Sequence, residues 1–313
     1  MKYLVTGGLG FIGSNLVDAL VDQNHQVIVI DDLSTGSKEY SNPKVEMYHI
    51  DSICNFETVL KITKGIDCIF HLAAWARLMR SIDDPIGTNN ANSVGTLTLL
   101  EAARQNHVPR FIFSSSSSVY GFQKEAQMIE LMNPNPQHPY ALQKLNGEQY
   151  CQMYTNLFGL KTICLRYFNV YGPRQVTKGD YALVIGKFMR QKAEQGKMTV
   201  YGDGTQTRAY THVSDVVRAN ILASQLYEIP NNHTVINIGT DKETSVNEIV
   251  SLLGGNAEYI NPNPRGNFEE KRKMANYNRA FSLLGWEPRI SIEEGIKQLL
   301  ENETNNSNHN NQS

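Results

Sequence analysis

The sequence predicts an α/β fold in which a doubly wound parallel sheet is covered by helices on both faces. Short apolar runs that end in glycine or polar residues alternate with segments of helical hydrophobic spacing. The chain has 313 residues, of which 41% are apolar, and this is enough for one large core. Strands that alternate with helices favour a parallel sheet with right-handed crossovers.

The first strand is predicted at Lys2–Val5, and a glycine-rich turn follows it. A helix comes next, because apolar residues recur there at helical spacing, namely Phe11, Ile12, Leu16, Val17, Leu20 and Val21. A second strand, Gln26–Ile30, ends at Asp31-Asp32. Later strands are predicted at Val45–Ile50, Cys68–Leu72, Arg110–Phe113 and Thr162–Leu165, and two long helices at Asn92–Gln105 and Tyr140–Phe158.

The alternation weakens after Pro173, where turns become denser. We therefore predict a first domain over residues 1–172 and a smaller C-terminal substrate lobe over 173–303. A strand-like run near 235–239 is expected to return to the main sheet, so that the two parts interleave. The final segment, 304–313, is polar and low in complexity, which is typical of a disordered tail.

Composition excludes several classes of function. A net charge of -2 gives no basic field for nucleic acid or acidic lipid, and no apolar run approaches the ~20 residues of a membrane span. The four cysteines, Cys54, Cys68, Cys151 and Cys164, show no metal-ligand spacing, so no metal site is expected. They suit a reducing compartment, and Met1-Lys2 leads directly into a strand without a signal peptide, so we expect a cytoplasmic location.

The turn after the first strand has the spacing Gly-x-x-Gly-x-x-Gly. Gly7 permits the tight turn, Gly10 lets the backbone approach a pyrophosphate, and Gly13 lets the helix pack against the sheet. The first-turn amides and the helix dipole then face the anion. The order of strand, turn and helix favours a Rossmann-type dinucleotide site over a plain glycine turn.

Asp31 ends the second strand, where a carboxylate can accept both ribose hydroxyls of an adenosine. A carboxylate there would repel a 2′-phosphate, which favours NAD over NADP. Asp32 could share or replace this role, and Asp51 is a weaker candidate for contacting the adenine. Further cofactor contacts are predicted at Phe11, Ile12, Ser52, Leu72, Ala73, Ala74 and Tyr167, whereas His71 is interpreted as a packed histidine.

Tyr140 and Lys144 are predicted to lie one turn apart on one helix face, because Pro139 favours a helix start. A tyrosine has a pKa of ~10, and a nearby ammonium lowers that pKa by favouring the phenolate. Lys144 could also bond the nicotinamide ribose. Such a pair is usually a surface feature, but beside a dinucleotide fold it predicts a site that moves hydride to and from an alcohol.

With these motifs the chain resembles the NAD-dependent nucleotide-sugar epimerase/dehydratase family, within the extended short-chain dehydrogenase/reductase superfamily, over nearly all of residues 1–300. The matching motifs are the glycine turn, His71-Leu-Ala-Ala74, the serines 114–118 before Val119-Tyr120-Gly121, the Tyr-x-x-x-Lys pair, Arg166–Arg174, Tyr201–Arg208 and Leu284–Pro288.

The resemblance implies roles for particular residues. Tyr140 would be the catalytic base with Lys144 as its partner, and Ser116 would bond the sugar 4-hydroxyl, with Ser115, Ser117 and Ser118 as rivals. Substrate contacts are implied at Asn169, which positions the sugar, at Arg208, which binds the diphosphate, and at Tyr201, which stacks on the base. The second phosphate arginine falls near Arg265, with Arg272 as a competitor.

The serine run also bears on the reaction. Dehydratases of the family carry acidic residues there and decarboxylases carry Ser-Glu, whereas this chain has hydroxyls only. The resemblance therefore implies NAD-dependent epimerisation of a UDP-hexose at C4 through a transient 4-keto sugar, with UDP-glucose, UDP-N-acetylglucosamine or UDP-glucuronate as substrate. A 4,6-dehydratase or decarboxylase is the alternative, and a non-catalytic NAD-binding scaffold is the third possibility.

Two further expectations come from the resemblance. Lys273 departs from the family pattern, and we interpret it as projecting to solvent in slight preference to meeting an acidic sugar such as a uronate. A homodimer is expected to form through a four-helix bundle of Asn92–Gln105 and Tyr140–Phe158, with Leu99, Tyr154 and Phe158 in or near the seam.

Overall fold

The structure is a computed structural model, and it describes residues 1–76, 78–177, 183–261 and 272–310, the last eight of these by backbone only. The strands are β1 Lys2–Thr6, β2 Gln26–Asp31, β3 Met47–Ile50, β4 Cys68–His71, β5 Arg110–Ser116, β6 Gln127–Met128, β7 Lys161–Tyr167, β8 Val170–Tyr171, β9 Lys197–Tyr201, β10 Thr207–Arg208, β11 Thr211–His212, β12 His233–Ile238, β13 Thr244–Ser245, β14 Asn256–Ile260 and β15 Met274–Ala275. The helices are α1 Phe11–Asp22, α2 Phe56–Ile62, α3 Leu78–Asp83, α4 Pro85–Asn89, α5 Gly95–Gln105, α6 Pro139–Phe158, α7 Val184–Gln195, α8 Val213–Gln225, α9 Val246–Leu252, α10 Asn278–Leu284 and α11 Ile292–Asn310.

The central sheet has seven strands in the order β12-β7-β5-β4-β1-β2-β3, and every neighbouring pair is parallel. The predicted doubly wound α/β fold is therefore confirmed. The register aligns the carboxyl ends of the central strands, since Thr6 pairs with both Ile30 and His71 and Ser116 pairs with Tyr167. Side chains that follow these strands consequently gather along one edge of the sheet.

Each face of the sheet buries its own apolar cluster. One cluster joins β1 and α1 to α8, through residues such as Tyr3, Leu16 and Val216. The other joins the opposite face to α2, α5 and α6, through residues such as Leu4 and Leu99. Burial of one such aliphatic side chain contributes about 1.5–3 kcal/mol, and the two clusters together fix the strands that carry the site.

The chain crosses between the two predicted parts more than once. The strand expected near 235–239 is β12, which pairs with β7 at the edge of the main sheet. Helix α8 also belongs to the 173–303 segment, yet it packs beside α1 on the main sheet. A separate cluster, with Phe188, Met198 and Ile249, forms the core of the remaining elements. The boundaries at 172 and 303 stay predictions.

Two elements differ from the sequence-based expectation. Strand β5 continues to Ser116 rather than ending at Phe113, because the backbone of its serines pairs with β7. Helix α11 runs to Asn310, through most of the predicted tail 304–313. Composition argued for disorder there, but the segment contains no Gly or Pro that would end a helix already begun at Ile292.

Within the described ranges, no helix is both long and apolar enough to cross a membrane, and no group of His, Cys, Asp and Glu is arranged to hold a metal ion.

Candidate active site at the carboxyl edge of the sheet

The glycine turn packs as tightly as its spacing predicts. Gly7 has a φ of 69°, in the left-handed region that favours glycine, and its N–H donates to the Ile30 carbonyl at 2.8 Å. A Cβ on Gly7 would lie 2.7 Å from the Ala73 nitrogen, and one on Gly13 would collide with the Gly7 carbonyl oxygen. Only a backbone without side chains fits this cradle, which leaves the first-turn amides of α1 open to a pyrophosphate.

Asp31 is buried beside this turn with its carboxylate already oriented. One oxygen accepts from the Leu9 N–H at 2.9 Å and the other from the Leu33 N–H at 2.8 Å. Each oxygen keeps a lone pair for a ribose hydroxyl, so the residue fits the diol of NAD. Burial raises the pKa of Asp31 despite these hydrogen bonds. Burial therefore already disfavours the charged form of Asp31. The 2′-phosphate of NADP would bring further negative charge next to it.

The other acidic candidates have different surroundings. Asp32 is exposed and accepts from the Ser34 N–H at 2.9 Å. The Asp51 carboxylate accepts from Thr58, Asn55 and the Ser52 N–H, and the Thr58 hydroxyl contributes most to lowering its pKa. These bonds commit Asp51 to the start of α2, and contacts of Asp51 and Ser52 with an adenine stay predictions.

His71 is a packed histidine, as interpreted. Thr96 donates to the Asn92 carbonyl, so the His71 Nε2–H must be the donor in its 2.8 Å bond to Thr96. Nδ1 then accepts from Thr6, 2.8 Å away, and the Thr6 hydroxyl in turn accepts from the Ala73 N–H. Burial lowers the pKa of His71 far below its usual value, so the ring stays neutral. Its role is to hold the loop that contains Leu72, Ala73 and Ala74.

That loop is held by residues that sequence reasoning missed. Asn92 accepts from the Trp75 N–H at 2.8 Å and donates to the Trp75 carbonyl at 3.1 Å. The same amide donates to Gln143, the neighbour of Lys144, at 2.7 Å. Asn92 lies in a π-helical turn, Asn90–Val94, which interrupts the predicted helix. Nothing in the periodicity of the sequence indicates this turn, although π-turns are frequent at functional sites.

Trp75 also bridges the two loops that flank the predicted adenosine site. Its indole N–H donates to the Ser34 hydroxyl at 3.0 Å, beyond the end of β2. The Arg80 guanidinium lies over its ring at 3.7 Å from the centroid. The loop after β4 is therefore fastened to the loop after β2, across the crevice between them.

Tyr140 and Lys144 lie one turn apart at the start of α6, as predicted. His138 caps this helix and Pro139 begins it. The Lys144 ammonium donates to the Ser114 carbonyl at 2.7 Å and lies 5.9 Å from the centre of the Tyr140 ring. Burial lowers the pKa of Lys144 to about 7. A lysine with such a pKa can change its charge near neutrality.

Behind this pair, Glu148 forms a buried ion pair with Arg166. The guanidinium donates to both carboxylate oxygens, at 2.8 and 2.7 Å, and Ser115 donates to the same carboxylate. The negative charge of Glu148 opposes the effect of burial on the pKa of Lys144. Ser115 is thereby committed to the core.

The serine run is only partly accessible. Ser114, Ser115 and Ser117 are buried, whereas Ser116 and Ser118 are half-buried and bonded to each other through their hydroxyls at 3.1 Å. The structure thus places the predicted Ser116 among the accessible members of the run and leaves Ser118 as its rival.

The predicted substrate contacts lie on neighbouring backbone. Asn169 donates to the Ala209 carbonyl at 3.0 Å, beside Arg208, and has a positive φ of 33°. Arg208 is half-buried and donates to the Thr207 carbonyl at 2.7 Å. Tyr201 is half-buried, with the Lys187 ammonium 4.6 Å from its ring centre. This brings the sugar-positioning and diphosphate candidates together.

Of three further candidates, one lies outside the described residues and two have side chains bonded to other partners. Arg265 lies outside the described residues. Arg272 donates to Glu243 at 2.9 Å and is thereby engaged at the surface. Tyr167 is buried and donates to Asn220 at 2.9 Å, so its phenol is committed to the core and any contact with a cofactor would come from its backbone.

The interpretation of Lys273 as projecting to solvent is wrong. Lys273 is only 7% exposed. Its charge contributes to lowering the pKa of His138, after burial as the main cause. The His138 ring is parallel to that of Tyr140, with centroids 6.1 Å apart. The charge of the buried Lys273 therefore acts on the residue that caps α6.

The chain matches the NAD dependent epimerase/dehydratase family over residues 3–239. A UDP-glucose 4-epimerase of Mycolicibacterium smegmatis is 36% identical over 312 residues, which is 96% of this chain and 98% of that protein. The solved UDP-glucose 4-epimerase of Thermotoga maritima with UDP-glucose has a TM-score of 0.88 at 37% identity, covering 95% of this chain and 96% of that one. The UDP-glucuronic acid 4-epimerase of Bacillus cereus, in complex with UDP-glucuronic acid and NAD, has a TM-score of 0.83 at 31% identity, covering 95% and 97%. UDP-glucuronic acid decarboxylases also match.

Proposed function

Because the chain belongs to the NAD-dependent epimerase/dehydratase family, we propose that it inverts the configuration of a UDP-hexose at C4. The observation that carries the proposal is the geometry of α6. Tyr140 and the buried Lys144 lie one turn apart, and Lys144 is anchored on the carbonyl of Ser114 at the carboxyl edge of the sheet. This bond ties the pair to β5, the strand that ends at the half-buried Ser116.

The residues that would hold NAD are those whose shape and hydrogen-bonding capacity fit it. The turn from Gly7 to Gly13 would receive the pyrophosphate, Asp31 would accept the ribose hydroxyls, and the small side chains of Ala73 and Ala74 would leave room for the cofactor. When bound, NAD accepts a hydride from the sugar carbon and returns it. The reaction is therefore neutral in redox terms.

The protein side of the reaction is proton transfer and anchoring. The Tyr140 Oη takes the proton of the 4-hydroxyl and later gives it back, while the Lys144 charge stabilises the phenolate. Ser116 donates to or accepts from the same sugar oxygen. Arg208 holds the diphosphate through charge-assisted hydrogen bonds, so the sugar can turn between its two faces while the nucleotide stays in place.

The hydrogen bonds of Glu148, the buried carboxylate beside the serine run, favour epimerisation over elimination. Elimination of water needs an extra acid and base at the serine run, and that run has hydroxyls only. Glu148 lies beside it but is bound to Arg166 and Ser115. It is therefore not available to protonate a leaving group.

We also propose a homodimer formed through α6. Leu142, Met153 and Leu157 are exposed on this helix and recur at spacings of 11 and 4, which places them on one stripe. Phe158 is exposed beside them, as the expected seam requires. Leu99 and Tyr154 are buried within the chain, so they could only support the seam from behind, and their expected place in or near it stays a prediction. A cytoplasmic location stays a prediction.

The test of the proposed reaction is Tyr140→Phe. We expect the variant to retain NAD and to lose about 10²–10⁴-fold in kcat, since the phenol oxygen is the proton acceptor. Tyr150→Phe on the same helix is the matched control and should keep its rate. Products from UDP-glucose, UDP-N-acetylglucosamine and UDP-glucuronate are resolved by NMR at the sugar C4 proton. An unchanged rate in Tyr140→Phe, or loss of water or carbon dioxide instead of inversion, would contradict the proposal.

A further inference from the structure

A side-chain hydrogen bond joins the two loops that flank the glycine turn. The central sheet contains the order β4-β1-β2, so the turn after β1 lies between the loop after β4 and the loop after β2. Both neighbours contact that turn, since a Cβ on Gly7 would meet Ala73 and the Gly7 N–H donates to the Ile30 carbonyl. The Trp75 indole N–H donates to the Ser34 hydroxyl at 3.0 Å. This bond, the Trp75–Ser34 strap, therefore crosses the crevice above the turn.

The Ser34 end of the strap is held by the acidic residues that end β2. The Leu33 N–H donates to the Asp31 carboxylate at 2.8 Å, and the Ser34 N–H donates to Asp32 at 2.9 Å. Leu33 has a positive φ of 59°, a conformation that a residue with a branched side chain seldom adopts without such support. The strap and the carboxylate predicted to accept the adenosine ribose thus share one short segment of backbone.

The Trp75 end of the strap is held through both its ring and its backbone. The Arg80 guanidinium lies 3.7 Å from the centre of the indole, and this cation–π contact favours the ring orientation that reaches Ser34. Asn92 bonds the N–H and the carbonyl of Trp75, at 2.8 and 3.1 Å, and also bonds Gln143 of α6. The strap is therefore connected to the helix that carries the catalytic pair.

The position of the strap matters more than its contribution to stability. Ser34 is exposed, and one neutral hydrogen bond at the surface contributes little to the free energy of unfolding. A dinucleotide with its pyrophosphate on the glycine turn and its ribose at Asp31 would occupy the crevice that the strap crosses. A closed strap then separates that crevice from solvent on this side.

We propose that Trp75 is a positioning residue that closes the strap over bound NAD and has to release Ser34 before NAD can enter or leave. A protein that takes a hydride from a sugar carbon and returns it must keep the same dinucleotide between the two transfers, because a reduced dinucleotide that escapes carries the hydride away. The strap slows this escape. The inference rests on the part of the proposed function that seats NAD on the glycine turn, whichever sugar is turned over.

The experiment measures both rate constants of NADH binding in Trp75→Phe and Ser34→Ala. Phenylalanine keeps an aromatic ring for Arg80 but lacks the indole N–H, and alanine removes the acceptor. Entry is followed by the fluorescence of NADH after mixing with NAD-free protein, and release by a chase with excess NAD. Each variant should raise both rate constants about 2- to 13-fold, as for the loss of one hydrogen bond, and leave the dissociation constant within about twofold of the wild type.

The double variant Trp75→Phe/Ser34→Ala tests whether the two side chains act as one. Because both single changes remove the same bond, the double variant should match either single variant instead of multiplying their effects. Ser37→Ala is the matched control, since its hydroxyl accepts from the Glu39 N–H within the loop after β2. It should leave both rate constants unchanged.

Each other outcome overturns a stated part of the proposal. Faster release with unchanged or slower entry would mean that Trp75 supports the dinucleotide without gating it, and faster entry alone would mean that the strap does not retain it. Unchanged rates in Ser34→Ala, which alters only an exposed side chain, would overturn the inference even if Trp75→Phe does not fold. In these cases the epimerase proposal stands as long as the wild type inverts C4. If the wild type binds no NADH, the proposed function itself fails.

Discussion

At the scale of single residues, the protonation of Lys144 is the point on which the proposed chemistry depends. Its ammonium is 3% exposed and is bonded to a neutral carbonyl, with the charge of Glu148 one turn further along the helix. Burial disfavours the charged form more than Glu148 restores it, so the pKa falls to about 7. Tyr140 itself is half-buried, so its ring remains partly accessible.

This lowered pKa predicts a pH-dependent stability in the NAD-free protein. In the unfolded chain the pKa of Lys144 returns to about 10.4. Between pH 7 and about 10, the unfolded state therefore binds more protons than the folded state, and the free energy of unfolding rises with pH. Urea denaturation of Lys144→Met should show a smaller rise across this window than the wild type.

The matched control for this prediction is Lys297→Met, which removes a lysine that is 76% exposed. That variant should keep the full rise, because folding does not remove this exposed ammonium from water. If the free energy of unfolding depends on pH in the same way in Lys144→Met and in the wild type, then burial does not lower the pKa of Lys144.

The placement of single residues was predictable from sequence where a motif defines it, as for Gly7, Asp31, Tyr140 and Lys144, while their roles stay predictions. Lys273 was not, because it precedes a strand of only two residues, Met274–Ala275, and so short an element has no periodicity that would reveal which side is buried. Tyr167 is a different case: its place at a strand end suggested a cofactor contact, which stays a prediction for its backbone, while its phenol bonds Asn220 in the core.

At the scale of elements, helix α6 carries the site on one face. Tyr140, Lys144 and Glu148 follow one another at intervals of four residues, so the phenol, the ammonium and the buried carboxylate lie in a row from the crevice into the core. The Arg166 side chain, from β7, closes the far end of this row. The ion pair thereby links the catalytic helix to the sheet.

We predict that breaking this ion pair costs much more than breaking an exposed one. Glu148→Leu leaves the Arg166 charge buried and unpaired and should lower the free energy of unfolding by about 3–5 kcal/mol. The double variant Glu148→Leu/Arg166→Met should recover much of that loss, because both charges are gone. The measurement is urea denaturation of each variant at pH 7.

Glu258→Ala is the control, since Glu258 pairs with Lys197 where both side chains are more than half exposed, at 53% and 55%. Its cost should stay below about 1 kcal/mol. A single variant Glu148→Leu as mild as this control would mean that the buried pair does not hold α6 against β7.

The π-turn Asn90–Val94 is the element that positions the cofactor loop. Because Asn92 makes two hydrogen bonds to the Trp75 backbone, Asn92→Ala should weaken NAD binding about 5- to 150-fold, at roughly 0.5–1.5 kcal/mol for each bond. Trp75 reports on this directly, as the chain has only 2 tryptophans and Trp286 is fully buried. Titration of NAD against Trp75 fluorescence gives the dissociation constant without an activity assay.

Asn247→Ala is the matched control, because this half-buried asparagine bonds the Asp203 carbonyl within the 173–303 segment. It should leave the NAD dissociation constant unchanged. Equal NAD affinity in Asn92→Ala and the wild type would show that the loop does not need this clamp.

Most elements were predictable because their local signals agree with the fold. The apolar runs became strands within a few residues, and Pro139 marked the start of α6. The π-turn was missed because it depends on the tertiary bonds of Asn92, which do not alter the spacing of apolar residues. The extension of β5 into the serines was missed because pairing with β7, not propensity, decides it.

At the scale of the whole molecule, topology gathers residues that are far apart in sequence. The parallel order β5-β4-β1-β2 puts the ends of four strands side by side, so the glycine turn, Asp31, His71 and the serine run share one edge. This convergence was predictable, since carboxyl ends of parallel strands always meet there. The contacts of the 173–303 segment were not, because its short strands carry little signal of their partners.

The exposed stripe on α6 leads to the prediction about assembly. Leu157 is 65% exposed and lies in line with Leu142 and Met153, and so much apolar surface along one helix favours burial against a second copy. Leu157→Glu would place a charge in that interface, where it would be desolvated without a partner. Sedimentation velocity should therefore show dimers for the wild type and monomers for Leu157→Glu.

The control for assembly is Tyr227→Glu, because Tyr227 is even more exposed, at 87%, but lies beyond the end of α8. It introduces the same charge and should leave the dimer intact, which separates a local interface from a general effect of exposed apolar side chains. Because α6 also carries Tyr140 and Lys144, the stripe ties the two active sites of a dimer to one shared surface. NAD affinity measured in the Leu157→Glu monomer then shows whether that surface supports the site. A wild type that sediments as a monomer would contradict the dimer proposal.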